Sequence, residues 1–360
     1  MKSMLLNRFK PGRLSLVDLG LLSLAALNWI ALLSLTIVLA TVSLAKAAEG
    51  GCKGHSLLPD LARTQPERYA RMLEEAAKVP NGRGRLWKIE KPGTAPSYLF
   101  GTMHVTDPRV LAMPQAARDA IAAARTVVIE SDEVLNERRA SASIAERPDL
   151  MTFTDGSSLT DRLSPEQRIN LEAGLQARGI KLATIAQFQP WIVSSFIAMP
   201  ACEQMRKASG ADFLDKAIAQ KALANGKQVT GLETLVEQLT ALSELPVEFH
   251  VQSLLQTLAI GDRMNDIMET MTALYLSGDI GMTAPMLKAV APAASDGDQG
   301  YAGFEQRMIT DRNHVMADRS EPILNEGAAF IAVGALHLPG PEGVIALLRA
   351  KGFSVTRIKG

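Results

Sequence analysis

The chain has 360 residues, 47% hydrophobic and 21% charged, enough for a sizeable core and one or two domains. Its 38 basic and 38 acidic residues give a formal charge of zero, and no basic run interleaves with aromatics. That composition argues against a nucleic-acid partner.

Lys2, Arg8, Lys10 and Arg13 precede an uncharged stretch from Leu19 to Ala45, and Ala45-Lys46-Ala47 follows. A basic start, an apolar core and a small-x-small site read as an export signal over residues 1–48. The apolar stretch also exceeds the roughly 20 residues that span a bilayer. Residues 19–45 therefore read equally well as an uncleaved membrane tether. In either case the basic flank stays in the cytoplasm. The remainder is expected in the periplasm or another extracytoplasmic space, free or anchored in the inner membrane. In such a compartment the two cysteines, Cys52 and Cys202, are expected to pair as one disulfide.

Residues 49–85 form a polar lead-in, with His55 in a mobile part of it, and residues 86–360 the main domain. Leu86 to Ile89 and Tyr98 to Phe100 read as strands joined through the turn at Lys91-Pro92-Gly93. Pro114 to Ala124 reads as a helix with proline in its first turn. TVVIE, 126–130, is a buried-type strand ending on an acid, and 136–158 carry no strong pattern. Ser164-Pro165-Glu166 opens a helix with serine as its cap. Helical patterns follow over 183–199 and 211–224. QVTGLE, 228–233, is a second strand ending on an acid. Helices are expected over 234–243 and 247–277, then a loop over 291–300 and a helix over 301–324. The chain closes with a strand at 328–333, a helix at 342–350 and a strand at 354–358. The strands at the two ends are expected to share one mixed sheet, with a helical subdomain over about 160–325 between them. This is an α/β (α+β) fold.

Two segments share one pattern. YLFGTMHVTDP (98–108) and AFIAVGALHLPGP (329–341) each run from an apolar strand into Gly-x-x-His and on to a proline. In open α/β sheets ligands bind beyond the carboxyl ends of the strands. If the four strands are parallel neighbours, His104, Glu130, Glu233 and His337 meet on one rim. Gly101 and Gly334 would let the backbone turn sharply or approach a ligand. Two imidazoles and two carboxylates suit a divalent ion of the zinc, manganese, cobalt or iron kind. An open position on such an ion activates water, and a nearby Glu can serve as base. Arg312 and Asn313, in the expected 301–324 helix, could reach the same rim. His250 and His314 read as structural, the methionines of 264–286 as core, and Trp87 and Trp191 as packing anchors. The chain holds no HExxH, GxSxG or phosphate-loop motif, which removes the commonest zinc protease, serine hydrolase and nucleotide readings.

From about Trp87 to the end, the chain resembles the TraB/GumN (TraB/PrgY/TIKI) family. The segments that carry the resemblance are YLFGTMHVTDPRV, VVIESDEV, TGLETLVEQL, ITDRNHVMA and AFIAVGALHLPGPEGVIALLRAKGFSVTRI. It extends to an early cysteine and a second after a Pro-Trp helix, here Cys52 and Cys202. The resemblance implies a fold related to erythromycin esterase and ChaN-like proteins. It also implies kinship with membrane-tethered TIKI proteases, which use a manganese- or cobalt-like ion to trim the amino terminus of Wnt ligands. Their paired histidines match His104 and His337, and an acid of theirs matches Glu130. The first expectation is thus an exported, metal-dependent, peptidase-like hydrolase. His104 and His337 hold the ion, Glu130 is a third ligand or the base, and Glu233, Arg312 and Asn313 contact the substrate or support the ligands. Its substrate is a peptide or a small molecule. The rival expectations are a binding module for a peptide signal or haem, and an ester-cleaving hydrolase.

Overall fold

The structure is a computed structural model and describes residues 54–290 and 298–359. The export signal, the tether, Cys52 and most of the 291–300 loop lie outside the described residues. No helix among the described residues is long and apolar enough to cross a membrane.

Six strands build one mixed sheet: β1 (Leu86–Glu90), β2 (Ser97–Thr102), β3 (Thr126–Ile129), β4 (Gln228–Gly231), β5 (Ala329–Gly334) and β6 (Ser354–Arg357). Their order is β4-β3-β5-β2-β1-β6. β1 pairs antiparallel with β2 and β6. β2, β5, β3 and β4 are successive parallel neighbours. The four strands expected to converge therefore do so, and all four point their carboxyl ends to one edge.

β3 is buried along its whole length and β5 nearly so, as apolar runs covered on both faces should be. Side chains alternate between the faces. Phe100, Val127, Ile129 and Phe330 pack with helices Gln115–Ala123 and Leu214–Ala224. Leu99, Val128, Ile331 and Val333 pack with helices Arg312–Glu326 and Val344–Ala350. A separate helical core holds Leu171, Leu175, Val193, Val251 and Leu254.

Several helix boundaries differ from the expectation for local reasons. The single helix over 247–277 is two, Val247–Ile260 and Arg263–Ser277, because Gly261 adopts φ +58 between them. The 183–199 pattern is likewise two, Leu182–Ile185 and Pro190–Ile197, the second opened by its proline. Residues 136–158, patternless in sequence, contain helix Glu137–Ala145, capped by the Asn136 side chain. The polar lead-in folds as helices Leu58–Thr64 and Pro66–Ala77, whose Leu61 and Met72 pack with Ile267, Leu274 and Met286. His55 is tied there as well, its backbone N–H donating to Asp266. Ser164 and Thr234 cap their helices through capping boxes, as their sequences imply.

The first Gly-x-x-His needs its glycine because the second motif's turn lies against it. A Cβ on Gly101 would stand 2.8 Å from Leu338 and 3.0 Å from the Ala335 backbone. Gly101→Ala is therefore expected to cost about 1–3 kcal/mol through overpacking. A thermal melt beside the parent checks this; an unchanged midpoint would show that the two turns are not in contact.

Candidate functional site

His104 lies two residues beyond β2, Glu130 directly after β3, Glu233 two residues beyond β4 and His337 three beyond β5. Strand register alone thus gathers the four expected residues. A cavity of about 260 Å³ opens over three of them, His104, Glu130 and His337. His104, Glu130, Arg312 and His337 line it on one side, and Met103, Met271, Tyr275, Ile309 and Leu336 supply an apolar wall. Glu233 stands behind Arg312, where both border a neighbouring cavity.

Glu130 is the hub. Its Oε1 accepts the Gly334 backbone N–H at 2.6 Å, and its Oε2 accepts from Arg312 Nη2 at 2.9 Å and Gln238 Nε2 at 3.2 Å. A Cβ at Gly334 would come within 3.0 Å of Oε1, so the second motif's glycine makes room for this carboxylate. Arg312 also grips Glu233, with Nε on Oε1 at 3.0 Å and Nη2 on Oε2 at 2.8 Å. One guanidinium thus bridges two carboxylates whose residues are each 6% exposed. Arg312 begins helix Arg312–Glu326 just after Gln306–Asp311, which is wound as a π-helix. Such segments re-aim side chains and recur at functional sites. Here Ile309 within the segment and Arg312 after it both reach the cavity.

His337 is buried, and its Nδ1 lies 2.7 Å from Asn313 Oδ1. Asn313 Nδ2 donates to the Glu342 carbonyl at 2.8 Å. A carbonyl only accepts, so the amide orientation is forced and Oδ1 must accept from His337 Nδ1–H. That fixes the tautomer and leaves Nε2 with a bare lone pair in neutral His337. Nε2 points at Glu130 Oε1, 3.9 Å away. His104 Nε2 stands 3.8 Å from the same oxygen and 3.4 Å from Asp215 Oδ2.

The electrostatics separate the two imidazoles. Burial lowers the His337 pKa to about 4, the attraction of Glu130 being partly cancelled by Arg312 and His104. The His104 side chain is half exposed; desolvation of its inner side works against charge, but Asp215 and Glu130 outweigh it and raise its pKa to about 9. For Glu130, burial favours the neutral acid, yet His104, His337, Arg312 and the Gly334 N–H hold the pKa down to about 2. At neutral pH the protein alone carries the carboxylate of Glu130, an imidazolium at His104 and a neutral imidazole at His337.

A bare imidazole nitrogen facing an ionised carboxylate oxygen is a repulsive pair unless a cation lies between them. With His104 on the same oxygen, the donors are two nitrogens and a carboxylate, a set that suits zinc, cobalt or manganese. As they stand they do not make a closed cage: among the described residues no group of three or more His, Cys, Asp or Glu is arranged to hold a metal ion. Two donors bound at about 2.0–2.2 Å to one tetrahedral ion stand about 3.4 Å apart. The separations of 3.4, 3.8 and 3.9 Å match or slightly exceed that. The donors would have to draw together to close about an ion. The residues fit such an ion.

Two partners in the site have no counterpart in the sequence reading. Gln238, on helix Leu235–Ser243, donates to both Glu130 and Glu233. Asp215 is 4% exposed and lies on the buried stripe of helix Leu214–Ala224 with Leu214, Ile218, Ala219 and Ala222. An acid on the apolar face of an amphipathic helix was the legible signal for it. His250 is structural, buried with Nε2 3.0 Å from the Leu242 carbonyl, and His314 is an exposed side chain 3.2 Å from Glu342. Trp87 and Trp191 are both buried. Cys202 is buried on helix Ala201–Ala208 and borders a small cavity with Gly54, two residues from Cys52 in sequence.

The chain is similar to three curated proteins over about three quarters of its length. An uncharacterized protein of Treponema pallidum (strain Nichols) is 23% identical over 278 residues, which cover 74% of this chain and 80% of that one. Metalloprotease TIKI1 of Danio rerio is 25% identical over 315 residues, 75% of this chain and 62% of the relative. Metalloprotease TIKI2 of the same fish is 24% identical over 317 residues, 75% and 60%. The chain thus spans about three fifths of the two metalloproteases. No solved structure matches it. The TraB/PrgY/gumN family profile matches residues 85–357, from the start of β1 to the end of β6 and through every residue of the site, so the chain belongs to the TraB/PrgY/gumN family.

Proposed function

We propose that the protein is an exported hydrolase that uses a divalent ion of the manganese, cobalt or zinc kind to cleave peptide bonds. The observation that carries this reading is the bare Nε2 of His337, locked by Asn313, facing the Glu130 oxygen that also faces His104. The distant likeness to two metalloproteases supports the peptide substrate. His104, His337 and Glu130 would hold the ion, which when bound supplies a Lewis acid and an acidified water.

The remaining roles follow from the partners each residue has. Glu130 is a ligand rather than the base, because its Oε1 faces the ring nitrogens of both His104 and His337. Arg312 holds Glu130 in place and keeps it ionised, and Glu233 holds Arg312. Asn313 orients His337, a role that other hydrogen-bond acceptors play behind metal-binding histidines. The apolar wall of Met103, Met271, Ile309 and Leu336 suits an apolar side chain beside the scissile bond. In the exported protein, a Cys52–Cys202 disulfide would tie the lead-in to helix Ala201–Ala208.

The test is elemental mass spectrometry of the full chain, purified without a polyhistidine tag, beside His104→Ala and His337→Ala. Near-stoichiometric metal in the parent, lost in both variants, is the expected result. A parent that takes up no manganese, cobalt or zinc on reloading would overturn the metal reading.

A further inference from the structure

We infer that Asp215 is a fourth donor to the ion, an inference that rests on the proposed metal site. Asp215 is almost fully buried, and its two oxygens have unequal company. Oδ1 accepts from Thr102 Oγ1 at 2.7 Å, a bond that anchors the carboxylate to the last residue of β2. Oδ2 is buried and makes no hydrogen bond; in the metal-free protein it is compensated by the charge of the His104 ring 3.4 Å away, which a metal-bound His104 would no longer carry. A buried, unpartnered carboxylate oxygen is costly, and nearly all such atoms in folded proteins are satisfied.

The direction of Oδ2 says what would satisfy it. It lies 3.4 Å from His104 Nε2, the same nitrogen that stands 3.8 Å from Glu130 Oε1. Asp215 therefore does not sit behind the ring on its Nδ1 side, as an orienting carboxylate would. It sits at the ligating nitrogen, and its spacing is that of two donors on one tetrahedral ion, about 3.4 Å. The donor atoms run in series from Asp215 Oδ2 through His104 Nε2 and Glu130 Oε1 to His337 Nε2. Two nitrogens and two carboxylate oxygens give a neutral site for a divalent ion when both imidazoles are neutral. Helix Leu214–Ala224 has a place in the site for this reason, although it contributes no residue to the lining of the cavity.

Calorimetric titration of the full chain with manganese, cobalt and zinc tests this. Asp215→Asn keeps the shape and the Thr102 contact but removes the charge, and is expected to weaken binding by about 100-fold or more, beyond the 10–100-fold of a supporting residue. Asp215→Glu should recover part of the loss. Thr102→Val, which removes only the supporting bond, should cost no more than about tenfold. The visible spectrum of the cobalt form should change in Asp215→Asn, since the donor set changes. Binding by Asp215→Asn as tight as the parent's, with the loss in His104→Ala intact, would overturn the role of Asp215 and leave the metal site standing. A parent that binds no ion would sink both. If Asp215→Asn does not fold, anomalous scattering from manganese-soaked crystals of the parent decides: Oδ2 at about 2.2 Å from the ion supports the inference, and Oδ2 beyond about 3 Å overturns it.

Discussion

Arg312→Met is expected to destabilise the protein by about 3–5 kcal/mol, the cost of removing one partner from a buried ion pair. Arg312 lies between Glu130 and Glu233, and the side chains of the three are 12%, 8% and 3% exposed. Methionine fills much of the arginine's volume, so the loss is electrostatic rather than a cavity. Gln238 remains as a donor to both carboxylates but carries no charge. The pH dependence gives the prediction its sign. In the parent, the Glu130 pKa is about 2, below the usual 4.5. Its contribution is therefore present above pH 4.5 and is lost as the pH falls towards 2. In Arg312→Met, Glu130 keeps His104 and the Gly334 N–H but loses one of the charges that hold its pKa down. Its folded pKa then lies closer to the unfolded value, and the stability it contributes above pH 4.5 is smaller than in the parent. Urea melts between pH 5 and 3 would show a shallower loss on acidification in the variant than in the parent. Adding Glu233→Gln to Arg312→Met should recover part of the loss, because the second site removes a charge the first left stranded. A single variant that melts like the parent at pH 7.5 would show that solvent, not Arg312, stabilises these acids.

How far the sequence foretold the site can be argued residue by residue. The two Gly-x-x-His motifs and the acids closing TVVIE and QVTGLE were visible because each ends a short apolar run, and a strand's end is a local feature. That the four strands adjoin in parallel is a long-range fact, but an apolar run buried on both faces belongs in a parallel sheet, so burial and topology point the same way. The glycines were visible without their reasons. Gly101 makes room for the turn after β5 and Gly334 for Glu130, contacts between segments over 200 residues apart. Asp215 and Gln238 were missed because each lies in a helix: the pattern marks Asp215 as buried, but it does not say what faces either side chain. The long helix split at Gly261 was misread for the opposite reason: the apolar period runs on across the break, and only a left-handed backbone stops it. Asn313 was seen as near the rim, but its fixing of the His337 tautomer depends on the Glu342 carbonyl, which no sequence pattern places there.

Glu130→Gln is expected to lower hydrolysis by about 10³-fold or more at ordinary metal concentrations, with a smaller cost in stability. Both histidine nitrogens face Glu130 Oε1, so this one oxygen joins the two halves of the site. The amide is nearly isosteric with the acid, and its oxygen can still accept the Gly334 N–H. Its NH₂ would then meet Arg312 Nη2 and Gln238 Nε2, donor against donor, which costs about 1–3 kcal/mol for the hydrogen bonds left unmade. The rate loss alone does not say whether Glu130 binds the ion or moves a proton; its response to metal does. A lost ligand weakens affinity, so millimolar manganese or cobalt should restore occupancy and a substantial part of the rate. A lost base leaves occupancy normal, and no amount of metal restores turnover. The geometry favours the first outcome, because Glu130 Oε1 faces both ring nitrogens that would hold the ion. Full occupancy with no activity would move Glu130 from ligand to base and leave the ion to the two histidines and Asp215.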